Sequence, residues 1–189
     1  MSKAENIVVG IFGHKGDFKT TTGVLFTWLE NNMGTRKHLY SNIKLNIPNF
    51  DWLKGNDVVM LSKKLDDSII FIDELQQYAD CRTSSSLQNM RVSNFFLQSR
   101  HTKSNVYYTT QYKDQIDKRI QRITDIDIVS KNLFYDSDND GDDDLFKITI
   151  IDKRGTGNIP VSKVLYAKPI WELFDSTDRV DPFVFEGEK

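Results

Sequence analysis

A chain of 189 residues, 39% hydrophobic and 12% aromatic, can bury one substantial core and is sized as one domain. Its 25 basic and 27 acidic residues nearly cancel, which excludes a polybasic protein that coats nucleic acid or membranes and confines any nucleic-acid contact to a local patch. The lone Cys81 excludes an internal disulfide, and no apolar run approaches the roughly 20 residues that cross a bilayer, so no membrane span is expected.

The first predicted strand is the apolar run Ile7 to Phe12, followed by a polar glycine loop and a helix from Thr20 to about Asn31. The loop, Gly13-His14-Lys15-Gly16-Asp17-Phe18-Lys19-Thr20-Thr21, has the lysine, hydroxyl and glycine spacing of a phosphate cradle. Glycines let backbone N–H groups converge on an anion, and the start of a helix adds partial positive charge. All nine loop residues are candidate nucleotide ligands, with Lys19 on the β- and γ-phosphates and Thr20 on Mg²⁺. Phe18 departs from the pattern, because most Walker A loops have glycine there. The competing reading is an ordinary strand-to-helix turn with a capping threonine.

A second strand is predicted over Leu39 to Ile43 and a helical stretch within Trp52 to Lys64. Ser68 to Ile72 is apolar without alternation, as suits a central parallel strand buried on both faces. It ends in Asp73-Glu74, the shape of a Walker B motif, where Asp73 would hold Mg²⁺ and Glu74 would act as general base on the attacking water. After a serine-rich loop at Cys81 to Ser86 come a helix to about His101, a strand from Val106 to Thr109, and a helix carrying Ile116, Ile120 and Ile123. That strand delivers Gln111 to the carboxyl edge of the sheet, where ligands of open α/β sheets bind.

From Asp127 the pattern becomes strand after strand: Ile128 to Tyr135, Leu145 to Ile151 across the acidic turn Asp136 to Asp144, then Ile159 to Tyr166. The expected fold class is therefore α/β, a P-loop NTPase with a mostly parallel central sheet flanked by helices and a C-terminal antiparallel β extension. One domain spans residues 1–189, with its core at about 6–126 and the extension and acidic tail at about 127–189.

Together, Lys19-Thr20, Asp73-Glu74, Arg100-His101 and Thr109-Thr110-Gln111 resemble the FtsK–HerA superfamily of ring-forming DNA motors, most of all the small genome-packaging ATPases of archaeal and bacterial viruses. The chain is also similar to the zonula-occludens-toxin-like assembly ATPases of filamentous phages, through Tyr40-Ser41-Asn42-Ile43 and Lys168-Pro169-Ile170-Trp171-Glu172-Leu173-Phe174-Asp175-Ser176. The resemblance implies a RecA-like sheet, ATP and Mg²⁺ as cofactors, a homo-oligomeric ring with ATP between subunits, Gln111 as sensor, and double-stranded DNA through the pore. A packaging role adds a capsid or portal-vertex protein as partner and a place in the host cytoplasm or with the virion. For the arginine finger acting across the subunit boundary, Arg100 is the first choice, with Arg91 and Arg82 behind it, and an ordinary surface salt bridge is the equal alternative for Arg100.

Asp136 to Gly141 imitates the first half of a calcium loop, but Lys147 stands where a glutamate is needed, which favours a solvated turn. DNA contacts are assigned to Arg82 to Arg91 and to Lys113, Lys118, Arg119 and Arg122, the latter group being equally readable as a solvated face. Rival functions are a phage assembly or secretion ATPase, a cellular or plasmid-borne translocase, and a protein that binds nucleotide without turnover.

Overall fold

A computed structural model describes residues 6–59, 65–83, 85–134, 144–155 and 159–175. Among them, eight strands form one sheet: β1 (Val8–Phe12), β2 (His38–Ser41), β3 (Phe50–Trp52), β4 (Ser68–Ile72), β5 (Asn105–Thr110), β6 (Ile126–Asn132), β7 (Leu145–Asp152) and β8 (Val161–Tyr166). Their spatial order is β3-β2-β4-β5-β1-β6-β7-β8. The helices are α1 (Lys19–Asn32), α2 (Gly55–Val59), α3 (Leu87–Gln98), α4 (Lys118–Ile123) and α5 (Lys168–Trp171). Every pairing from β3 to β6 is parallel, and β7 and β8 add antiparallel strands, as the fold class predicts.

The apolar continuity of β1 and β4 has its physical cause in coverage of both sheet faces. Alternate residues serve opposite layers. Val8, Ile70, Ile72, Val106 and Tyr108 pack with Phe95 and Phe96 of α3 and Ile120 of α4. On the other face Val9, Ile11, Ile69 and Phe71 pack with Val24 of α1 and with Ile170 and Phe174 from the end of the chain. Gly23 sets how closely α1 approaches, since a Cβ there would lie 2.3 Å from the Phe71 ring. A glycine inside a helix costs about 1 kcal/mol, and here close approach to the sheet is its compensation.

The strand order carries the main consequence for the site. β5, far later in sequence, lies between β1 and β4, so the polar end of β5 separates the phosphate-type loop from the acidic pair.

Several sequence expectations are refined. The strand expected at Ile128 starts at Ile126 and pairs in parallel with β1 before pairing antiparallel with β7. It thus belongs to the parallel sheet, and the antiparallel part begins at β7. β3 has no counterpart among the sequence expectations, because Phe50-Asp51-Trp52 is too short to show periodicity. Ile116 precedes α4 rather than lying within it. The acidic turn lies, except for Asp144, outside the described residues, as does the tail from Ser176. No helix among the described residues is long and apolar enough to cross a membrane.

Candidate active site

The loop after β1 is held by its own chain. Asp17, only 8% exposed, accepts the His14 N–H on Oδ2 (2.6 Å) and the Asn132 N–H on Oδ1 (3.0 Å), while the Ser130 hydroxyl donates to its carbonyl. Asp17 therefore shapes the loop against β6, with its charge absorbed by two amides. Gly13 fits the same contact, since a Cβ there would lie 2.5 Å from the Ser130 carbonyl oxygen. The His14 ring lies edge-on to Tyr112, its Nδ1 3.2 Å from the Tyr112 hydroxyl.

Intrahelical bonding in α1 begins with Thr22 N–H to Phe18 O (2.9 Å), so the amides of Lys19, Thr20 and Thr21 form the open first turn that favours anions. Lys19 Nζ donates to the His14 carbonyl (2.7 Å), which bends it back over the loop. Burial holds the Lys19 pKa below the ordinary lysine value, with Asp73, Asp17 and Glu74 opposing.

Thr20 joins the loop to the acidic strand end. Its hydroxyl lies 3.1 Å from both carboxylate oxygens of Asp73, at the carboxyl end of β4. Asp73 is 6% exposed, and desolvation raises its pKa against hydrogen bonds from Thr109 and Thr20 and the charge of Lys19. Two residues that sequence reasoning gave no role hold this corner. Asn42 brackets the backbone of Asp73, donating to its carbonyl (3.0 Å) and accepting its N–H (2.7 Å). The Thr109 hydroxyl donates to Asp73 Oδ1 (2.6 Å) and accepts the Glu74 N–H (2.9 Å), linking both acids to β5. A polar residue within the buried strand β5 was the available signal for Thr109.

Glu74 has φ 53° and ψ 50°, a left-handed conformation that costs a non-glycine residue roughly 1–2 kcal/mol. Such strain is retained where surrounding bonds over-determine it, here through Thr109 and through Gln77, whose amide donates to the Glu74 carboxylate.

Lys19, Thr20, Thr21, Asp73, Glu74, Thr109 and Gln111 line one cleft of about 410 Å³. Lys15, Gly16 and Phe18 complete its loop side. A hard hydroxyl beside a carboxylate suits Mg²⁺, and the open first turn with Lys19 suits a polyphosphate. The residues present thus fit both groups.

The departure at Phe18 acquires a structural explanation. Its φ of 56° and ψ of 31° form the left-handed region where glycine is at ease and a bulky residue is strained. Its ring stacks on Phe146 of β7 (centroids 5.2 Å, planes 25° apart) and on Trp171 of α5 (6.4 Å, 17°). Trp171, Phe174 and Asp175 line the same cleft, a contribution from the chain end that sequence reading recorded only as part of a resemblance.

Other candidates lie elsewhere. Arg100 precedes β5 at the amino edge of the sheet, its Nη2 2.8 Å from Asp125 Oδ1. Of the assigned DNA contacts, Arg82 pairs with Asp80 (2.8 Å), Arg119 with Asp117 (2.7 Å) and Lys113 with Asp127.

A family model described as zonular occludens toxin (Zot) matches residues 8–179. The N-terminal domain of zonular occludens toxin from Neisseria meningitidis superimposes with a TM-score of 0.64 at 14% identity, covering 90% of this chain and 100% of that one. The genome-packaging NTPase of Sulfolobus turreted icosahedral virus 2, in complex with ATP-gammaS, gives 0.59 at 10% identity over 86% of this chain and 100% of its own. A DnaB-like replicative helicase gives 0.57 at 12% identity, covering 87% of this chain and 57% of the helicase. At these identities the structures establish a shared fold, the RecA-like P-loop NTPase. Among curated proteins no sequence matches.

Proposed function

The chain belongs to the zonular occludens toxin (Zot) family, and from that membership together with the cleft we propose a magnesium-dependent ATPase whose hydrolysis moves double-stranded DNA, as a viral genome-packaging motor does. The observation that carries the catalytic part is the contact of Thr20 with Asp73, which joins the phosphate-type loop to the acidic strand end.

In this reading, Gly13 through Thr21 cradle the phosphates, and Lys19 turns from the His14 carbonyl to the β- and γ-phosphates. Thr20 and Asp73 would hold Mg²⁺, which when bound would supply charge neutralisation at the phosphates. Glu74 accepts a proton from the water attacking the γ-phosphorus, the bond to the bridging oxygen breaks, and ADP and phosphate leave. Gln111, at the end of β5, orients that water. Arg100 would serve a neighbouring subunit's γ-phosphate, exchanging its Asp125 partner for it. The proposed assembly is a homo-oligomeric ring of single-domain subunits, in the host cytoplasm or with the virion, meeting double-stranded DNA and a capsid or portal-vertex protein.

Family membership favours a second reading that keeps the chemistry and changes the cargo, a filamentous-phage-type assembly or secretion ATPase. Measuring ATP hydrolysis with and without duplex DNA, with oligomer mass recorded in parallel, separates the two. Stimulation by duplex in an oligomer supports the translocase. Turnover indifferent to DNA supports the assembly reading, and tight ATP binding with no phosphate release would leave a nucleotide-binding assembly protein.

A further inference from the structure

After β8 the chain does not end at the sheet margin. It returns as a strap across the start of α1, from Ala167, whose N–H bonds to Asp144 O (2.7 Å), to Phe174, which bridges to Leu45 beyond β2. Asn46 fixes the far end, its N–H donating to Leu173 O (2.7 Å) and its side-chain amide to Glu172 O (3.2 Å). Between these anchors, Ile170 and Phe174 enter the core while Trp171 remains 41% exposed.

The strap borders the cleft that the phosphate-type loop lines. The residues of the open first turn, Lys19, Thr20 and Thr21, line the same cleft as Trp171 and Phe174. A second cleft beyond the loop, bounded by Gly13, His14, Tyr112 and Phe134, shares Lys15 and Gln111 with the first but touches none of those three. A triphosphate chain seated on that turn therefore shares its cavity with the strap. The indole is the outermost ring of the Phe146–Phe18–Trp171 stack, and the rings beneath it are fixed by the core and the loop. A large, partly exposed π-surface on a pinned segment beside a phosphate cradle is what a flat heterocycle stacks on.

We propose that the strap is the base-recognition element of the site and that Trp171 is its stacking platform, selecting a nucleoside triphosphate over a bare polyphosphate. This rests on the nucleotide-site reading above and adds the residue that recognises the base. Phe18 then has a double role, closing the loop and backing the platform.

Calorimetric titration of the full chain with ATP and with inorganic tripolyphosphate, both in Mg²⁺, tests it. Trp171→Ala should weaken ATP by ~10-fold or more and leave tripolyphosphate within about twofold, with Trp171→Phe retaining part of the ATP affinity. Equal weakening of both ligands would make Trp171 a structural prop, and no weakening of either would remove its role; each overturns the platform. Wild-type protein that binds tripolyphosphate as tightly as ATP would overturn the platform with the phosphate site intact. Binding of neither would instead sink the nucleotide-site reading, and the platform with it. Should Trp171→Ala fail to fold, a chain carrying Trp28→Phe and Trp52→Phe leaves Trp171 as the sole indole. Its fluorescence should respond to ATP and not to tripolyphosphate, and the same response to both would contradict the proposal.

Discussion

The two edges of the parallel sheet handle charge in opposite ways. At the amino edge, charges are satisfied within the chain, by several neutral partners as well as by opposite charges. Glu30 accepts the Tyr107 hydroxyl (2.6 Å), the Thr35 hydroxyl (2.9 Å) and the Asn105 amide. Arg36 donates to Asn6 and Asn105 and lies 3.8 Å from Asp67, and Asp125 takes both Arg100 and the Val8 N–H. At the carboxyl edge, Lys19 donates to a carbonyl and Asp73 receives hydroxyls. Bonds to neutral groups offset desolvation incompletely, as the downward shift of Lys19 and the upward shift of Asp73 record. One edge is arranged for stability, and the other gathers charges suited to a ligand that carries both phosphates and a cation.

The contrast breaks first at Lys19. Replacing it with alanine should lower hydrolysis by ~10²–10⁴-fold with little change in melting temperature, checked by phosphate release and thermal melting of one preparation. Retained turnover would move the site elsewhere.

Asp73→Asn should lose magnesium-dependent hydrolysis to a similar extent while raising thermal stability. The folded carboxyl binds its proton more tightly than the unfolded chain does, because burial disfavours the anion. Its contribution to stability is therefore complete below the ordinary carboxylate pKa and is lost as pH rises through the raised value. The stability gain of Asp73→Asn over wild type should accordingly be larger at pH 8 than at pH 4, and a gain independent of pH would contradict this.

At the opposite edge the effects should exchange. Arg36→Ala strips a side chain that is 4% exposed from the Asn6, Asn105 and Asp67 cluster. The cost should be ~2–4 kcal/mol, a fall of roughly 5–15 °C for a chain of this length, with hydrolysis per folded molecule unchanged. Loss of turnover without loss of stability would mean that the edges are not separable.

The smallest effect is expected at Phe18→Gly, which relieves a left-handed strain of about 1–2 kcal/mol and forfeits ring stacking of comparable size. Unfolding in urea should shift by no more than ~1 kcal/mol. A larger loss would make the Phe146–Phe18–Trp171 stack a principal support of the loop.

How far the sequence reveals this depends on whether a residue acts locally. Lys19, Thr20, Asp73 and Glu74 are readable because each follows an apolar strand, and strand ends in a parallel sheet meet at one edge. Gln111 is readable for the same reason. Asn42 and Thr109 escape assignment because their roles lie in contacts with Asp73, 31 and 36 residues away, which no local pattern encodes. The parallel pairing of β6 escapes because Ile126–Asn132 has the half-buried alternation of an edge strand, and only the sheet order seats it beside β1. Phe18 reads as a defect in the loop until Phe146 and Trp171, both distant in sequence, are found on its ring.

Whether Glu74 serves a bound triphosphate is decided by Glu74→Gln, assayed for magnesium-dependent ATP hydrolysis and for ATP binding in the same preparation. The geometry predicts binding within a few-fold of wild type and turnover reduced by at least ~10²-fold. Turnover at the wild-type rate would show that the carboxylate at the end of β4 is not the base and that the chemistry lies outside this cleft.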